Sequence, residues 1–517
     1  MDQHTRREFL GQVGRGMLWA GLGSTLAGDL GIAPAFANDA DAARLDFGSL
    51  EPLVALMQET PPAQLTQKLV EKIKSGTDLK TLTAAGALAN ARTFGGEDYV
   101  GFHTFMALAP AYRIAQGLPL EQQPLPVLKV LYRNANRIQE FGGRQAEVLH
   151  AVQPSPLSAG AHPGEALRDA SRSADVDAAE GIFANLAQGP LGEAFNHLQF
   201  AVEDEIEVHR VVLCWRAWDT LDLAGQEWAH CLLRQSVRYC AQTERRMNER
   251  NQARSTFRTL LPALLDQYKL VGRQLGTNPG DDQWLEELAV TLFRGNREQA
   301  TDAVAQAIQE GYAPDSIAQA LSLAANMLAL HDPGRLERWA TPEKPAGSCH
   351  GDSVGVHASD AANAWRHIVA VSDQRNIVAS LLAGAFNTAG QSEHSNAQPY
   401  PLAEQLAAVR AEKQVDLLQE AEEAIRAGDQ FRAAAIIARY GQLGHAAPPV
   451  FDLMRQFATS EDGALHAEKY FNTVCEEYAT LRPAHRWNQL VALARVTASE
   501  FGRPAPGYVQ AKELLGV

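Results

Sequence analysis

One phrase, written twice, constrains this chain more than any other feature. "VGFHTFMALAP" begins at Val100 and "VGVHASDAANA" at Val354, and both carry a Val-Gly-x-His-x-x-x-Ala frame. Upstream, Leu50, Glu51, Leu53, Ile73, Gly76, Ala85, Leu88 and Ala89 recur as Leu285, Glu286, Leu288, Ile308, Gly311, Ala320, Leu323 and Ala324, all at an offset of 235. At the histidines the offset becomes 254 (357 − 103), because "HDPGRLERWATPEKPAGSCHGDS" adds 19 residues (254 − 235) before the second copy. A turn is where a duplicated unit accepts an insertion most easily. Further along, His197 in "GEAFNHLQFAVEDE" has a counterpart in His466 of "EDGALHAEKYFNTVCEE", and "VHRVVLCWRA" at His209 pairs with "AHRWNQLVALA" at His485. The expected organisation is therefore a tandem duplication, residues 46–280 and 281–517, of a multi-helix unit.

Nearly every segment carries apolar residues at helical spacing and few alternate in the manner of a strand, so the expected class is all-α, a pseudo-symmetric double bundle. Gly76 and Gly311 suit helix C-caps, and "EAEEAIRAGDQFRAAAIIARY" reads as a further helical hairpin. Residues 152–180, 331–355 and 389–403 read as loops. The opening "TRREFLGQVGRGMLWAGLGSTLAGDLGIAPAFANDA" resembles a twin-arginine export signal, with paired Arg6 and Arg7, a mildly apolar Gly-rich stretch and an Ala35-Phe36-Ala37 cleavage site. Residues 1–37 are thus expected to be removed and the mature chain to reside in the periplasm or outside the cell. No later run has the eighteen apolar residues of a membrane span. A net charge of -15 argues against nucleic acid and anionic membranes as partners. The five cysteines show no zinc or haem spacing, and Cys214, Cys231 and Cys240 lie on apolar helical stretches.

At about 100° per residue, His357, Asp360, Ala364 and His367 fall in one stripe of about 80°, and the first copy puts His103, Met106, Pro110 and Arg113 there. Packing alone asks for apolar residues at such positions. Recurring histidines point instead to a ligand, since imidazole is the commonest side-chain metal ligand near neutral pH. The candidate ligands are His103, His197 and His209 in the first half and His357, His466 and His485 in the second, with His367 on the stripe and Glu205 one turn before His209. Glu227-x-x-His230 and Glu147-x-x-His150 have the carboxylate–histidine spacing of di-iron bundles. His150, His162, His331, His350, His394 and His445 read as surface residues, the Trp215, Trp218 and Trp228 group as core, and "EDEIE" as a solvated helix face. G-x-S-x-G, H-E-x-x-H, a P-loop and a strand-borne G-x-G-x-x-G are all missing, which removes the usual anchors of hydrolase, zincin and nucleotide chemistry.

At the VGxH frame followed by "ANAWRH", the chain resembles the questin oxidase-like family of helical oxidoreductases, and over most of its mature length a group of twin-arginine-exported bacterial proteins. The resemblance implies oxidation of a small aromatic or quinone-like compound. The expected function is an exported metal-dependent oxidoreductase. Iron, copper or zinc would sit in a histidine-lined cavity, Arg216 or Arg113 would hold an anionic oxygen, and Asp360 would assist. The contrasting expectation is a non-catalytic helical-repeat binding protein whose histidines are structural.

Overall fold

Asp78, Asp98, Asp175, Asp281, Asn296, Ser353, Asp373 and Asp429 each precede a helix and accept a hydrogen bond from the backbone N–H three residues on. Each such cap is worth about 1 kcal/mol, and together they punctuate the chain into helices. The computed structural model describes residues 44–517, so the export segment 1–37 lies outside the described residues. It is all-α, with twenty-three α-helices among the described residues. The first half contains α1 (Glu51–Glu59), α2 (Pro62–Lys74), α3 (Leu79–Phe94), α4 (Tyr99–Gln116), α5 (Pro124–Phe141), α6 (Pro163–Arg172), α7 (Val176–Leu186), α8 (Leu191–Val202), α9 (Val208–Ala224), α10 (Ala229–Glu249) and α11 (Phe257–Gln267). The second half continues with α12 (Asp282–Arg294), α13 (Arg297–Glu310), α14 (Pro314–Leu330), α15 (Val354–Val371), α16 (Gln374–Thr388) and α17 (Ala403–Ala408). It ends with α18 (Gln414–Arg426), α19 (Gln430–Gln442), α20 (Pro448–Ser460), α21 (His466–Thr480), α22 (Trp487–Glu500) and α23 (Tyr508–Leu515).

The packing of the two halves runs in parallel. Helix α4 lies between α3 and α5 as α15 lies between α14 and α16, α1 packs on α3 as α12 does on α14, and α10 touches α3 and α7 as α22 touches α14 and α19. The glycine of each VGxH frame sits against the preceding helix. A Cβ on Gly101 would come 2.6 Å from the Phe94 ring, and one on Gly355 would come 2.3 Å from the Cα of Ala329. Phe94 and Ala329 are themselves 235 positions apart (329 − 94). Across the halves α9 lies on α15 and α21 on α4. With the α4–α9 and α15–α21 contacts this closes a ring of four inner helices. The largest apolar core draws on both halves, and a second one joins α18–α22 to Ile114, Leu330 and Val356.

Several local expectations change. Residues 152–180 hold α6 and the start of α7 rather than a continuous loop, because His162 and Asp175 cap helices there. "EDEIE" is the turn between α8 and α9, not a helix face. Glu203 and Asp204 are buried in it by ion pairs to Arg375 and Arg172. His331 and His350 are buried too, the former hydrogen-bonded through Nδ1 to the Asn396 carbonyl at 2.8 Å and the latter set between Ser348 and Glu500. No helix among the described residues is long and apolar enough to cross a membrane.

Candidate metal centre

Each of the four inner helices carries one histidine in its first turns: His103 on α4, His209 on α9, His357 on α15 and His466 on α21. Their rings form a closed circuit with centroid separations of 4.9 Å (His103–His209), 5.7 Å (His209–His357), 5.3 Å (His357–His466) and 5.4 Å (His466–His103). The Nε2 atoms of His357 and His466 are 3.3 Å apart. Two imidazole nitrogens bound at 2.0–2.1 Å in a tetrahedral arrangement are separated by about the same distance.

The other ring nitrogen of three of these histidines is tied down by an acceptor. The Nδ1–H of His103 donates to the Tyr99 carbonyl at 2.7 Å, that of His466 to the Ala464 carbonyl at 3.1 Å, and that of His209 to the Glu207 carboxylate. A carbonyl or carboxylate oxygen can only accept, so Nδ1 holds the proton and Nε2 keeps its lone pair. The Nε2 atoms of His103 and His209 are buried and have no hydrogen-bond partner. Glu207 is fixed in turn: it caps α9 through the N–H groups of His209 and Arg210 and accepts the Tyr239 hydroxyl at 2.8 Å. A carboxylate behind a histidine is the usual support of a metal-ligating imidazole.

Burial holds three of the rings neutral. It pushes His103 down to about 2, His357 to about 4 and His466 well below the ordinary histidine value, with the Lys469 ammonium as the next cause for all three. His103 and His466 are buried, while His209 and His357 are partly exposed at an end of the bundle flanked by exposed Tyr99. Immediately before His466, Ala464 and Leu465 both adopt left-handed backbone, at φ 48° and 68°. Non-glycine residues held there cost of order 1–3 kcal/mol each, and such strain concentrates at functional sites.

Imidazole nitrogens are donors that copper, zinc, iron and nickel take, and they are poor partners for magnesium or calcium. Among the described residues no group of three or more His, Cys, Asp or Glu side chains is arranged so that it could hold a metal ion.

Ten residues beyond each histidine lies a second polar layer: Arg113, Asp219, His367 and Glu476. Arg113 pairs with Asp219 and stands 3.5 Å from Glu476, which receives the His367 Nε2 contact at 3.0 Å, and Trp215 stacks on His367 at 4.6 Å. Between the layers, Asp360 accepts from Thr473 at 2.9 Å, Arg216 reaches Asp219 at 3.3 Å, and buried Lys469 is lowered to about 8 by burial, an effect that Asp360 opposes.

The remaining candidates stand elsewhere. His197 is half-buried on α8 with its ring 5.9 Å from exposed His162. His485 lies before α22 with Nδ1 3.6 Å from Glu286. His230 is buried and stacked on Phe183, and Glu227 is exposed on the preceding turn. Glu205 binds Ser255 N–H and Arg258 instead of His209. The ring circuit sets His103 opposite His357 and His209 opposite His466. In the sequence Glu207 figures only as the last acid of "EDEIE", and Lys469 is not singled out at all. No family model matches the chain, and neither does any curated protein or solved structure.

Proposed function

We propose that the chain is a metal-dependent oxidoreductase built around the His103–His209–His357–His466 tetrad, acting on a small molecule admitted at the Tyr99 end of the bundle. The observation that carries the reading is the tautomer pattern: three imidazoles anchored through Nδ1 beside one another, two of them with bare, buried Nε2 atoms. Without a ligand, each such nitrogen costs on the order of 1–3 kcal/mol. A bound transition ion supplies Lewis-acid or redox chemistry. The chain's residues hold the imidazoles in place through Glu207, Tyr239 and the backbone, keep His103, His357 and His466 unprotonated by burial, and restrict water to the His209–His357 side. The Arg113 and Arg216 guanidiniums serve the inner polar layers, where Asp219 and Glu476 neutralise them.

We also infer a tandem duplication, supported by the matched helix contacts and by the placing of His103 opposite His357. Export by the twin-arginine route rests on Thr5–Leu10 and the Ala35-Phe36-Ala37 site. Protein purified without a histidine tag, and reconstituted separately with copper, zinc and iron, should retain about one ion per chain after desalting. His357→Ala and His103→Ala should abolish retention with helicity intact. Failure of the native protein to retain any of the three ions returns the histidines to a structural role and favours a non-catalytic helical-repeat binding protein.

A further inference from the structure

A cavity lies on the flank of His466, among α20, α21, α22 and the turn before α15. Phe457, Ala467, Phe471, Leu493 and Val496 supply most of its wall, and His466 belongs to that wall as well. It gives the centre of a small guest about 20 Å³, against the roughly 10–15 Å³ that seats one water. Gly351 is part of the construction. A Cβ there would come 2.3 Å from the His466 Cβ, so glycine lets the turn lie directly against that histidine.

The surface of the cavity is mainly apolar, and the ionisable side chains in its wall are engaged elsewhere. Glu461 accepts from the Ser460 hydroxyl at 3.1 Å and from the Arg503 N–H at 2.8 Å. Glu500 accepts from the Gly351 N–H at 2.9 Å and from the Arg503 guanidinium at 2.6 Å. The two nitrogens of His466 face the Ala464 carbonyl and the His357 ring. A water in the cavity would have to rely on the Tyr470 and Thr497 hydroxyls, where a buried water usually finds about three partners.

We propose that this cavity binds one small uncharged apolar molecule, of the size class of the dissolved diatomic gases, against His466. Such a guest gives up no hydrogen bonds on entering and gains contact with the phenylalanine, leucine and valine side chains. A charged or strongly hydrogen-bonding molecule would leave its polar groups unmet there. The binding site stands whether or not the tetrad holds a metal. Only its consequence rests on the metal reading: the guest meets the centre from between α20 and α22, apart from a substrate admitted at the Tyr99 end.

Xenon, an apolar atom, is the probe, applied under pressure to the metal-free full chain with its leucine and valine methyl groups labelled for NMR. Saturable shifts are expected at the Leu493 and Val496 methyls and at the His466 ring protons, and formamide should leave the same signals unmoved. Ala467→Leu fills the cavity and should weaken xenon binding at these positions at least tenfold. If that variant fails to fold by circular dichroism, Val496→Phe takes its place, read at Leu493 and His466, with the same expectation. Signals of Leu493 and His466 that ignore xenon, or shifts that persist undiminished in the filled variant, overturn the inference. All samples are free of metal, so neither outcome bears on whether the tetrad retains an ion.

Discussion

Arg113 and Asp219 form an ion pair between α4 and α9, and each stands ten residues beyond a histidine of the tetrad on its own helix. Two helices whose residues meet both at one register and again ten residues on must run parallel. Glu476 and His367, ten residues past His466 and His357, complete the layer. The four inner helices are therefore a parallel bundle with histidines at one level and an ion-paired layer about 15 Å along its axis.

Glu207 should matter to the metal without touching it. Glu207→Gln keeps the cap but weakens the hold on the His209 Nδ1–H, and loss of such a partner typically costs 10–100-fold in metal affinity. Competition with a chelator of known zinc affinity measures this. An unchanged affinity would mean that His209 is not a ligand.

The metal-free protein should lose stability on mild acidification. Burial lowers His103 to about 2, His357 to about 4 and His466 well below its ordinary value, whereas the unfolded chain has ordinary histidines near 6.5. With folded values depressed, the unfolded state binds more protons between pH 6.5 and about 4. Stability is then fully present above pH 6.5 and falls as the pH drops through that window, by about 1.4 kcal/mol per pH unit for each such histidine. Urea unfolding from pH 4.5 to 7.5 should show this slope, and His103→Gln should reduce it by about one proton.

Lys129 on α5 and Glu468 on α21 form a buried pair at 2.5 Å, and the lysine also donates to the Ala458 and Glu461 carbonyls at 2.7 and 2.6 Å. Lys129→Met should cost about 3–5 kcal/mol because Glu468 is left buried and unpaired. The double variant Lys129→Met with Glu468→Leu should recover part of that loss in chemical denaturation. Equal instability of the single and double variants would assign the loss to the two carbonyls.

Gly355→Ala and Gly101→Ala should both destabilise, although alanine is the better helix former by about 1 kcal/mol. The new Cβ of the first meets the Ala329 backbone at 2.3 Å, and that of the second meets the Phe94 side chain at 2.6 Å. Backbone yields less than a ring, so Gly355→Ala should be the more damaging, at about 1–3 kcal/mol in thermal or urea unfolding.

The helical class, the caps and the 235-residue correspondence are local or periodic properties, and each is visible in the letters: Asp98 before α4, Ser353 before α15, glycine two residues ahead of each VGxH histidine. The candidacy of His103, His209, His357 and His466 was legible for the same reason, as titratable residues on apolar stripes. Which of the eligible histidines meet was not. His197 and His466 sit in similar sequence surroundings, yet only His466 reaches the tetrad, because α21 and not α8 joins the inner ring. Glu207 looked like one acid among several until the turn after α8 brought it to the start of α9, and Lys469 gave no local sign that it would be buried. Helix formation depends on neighbours three and four residues away, and sequence records those directly. The tetrad depends on how four helices from both halves choose partners and register, and that choice is made by the summed packing of the whole chain.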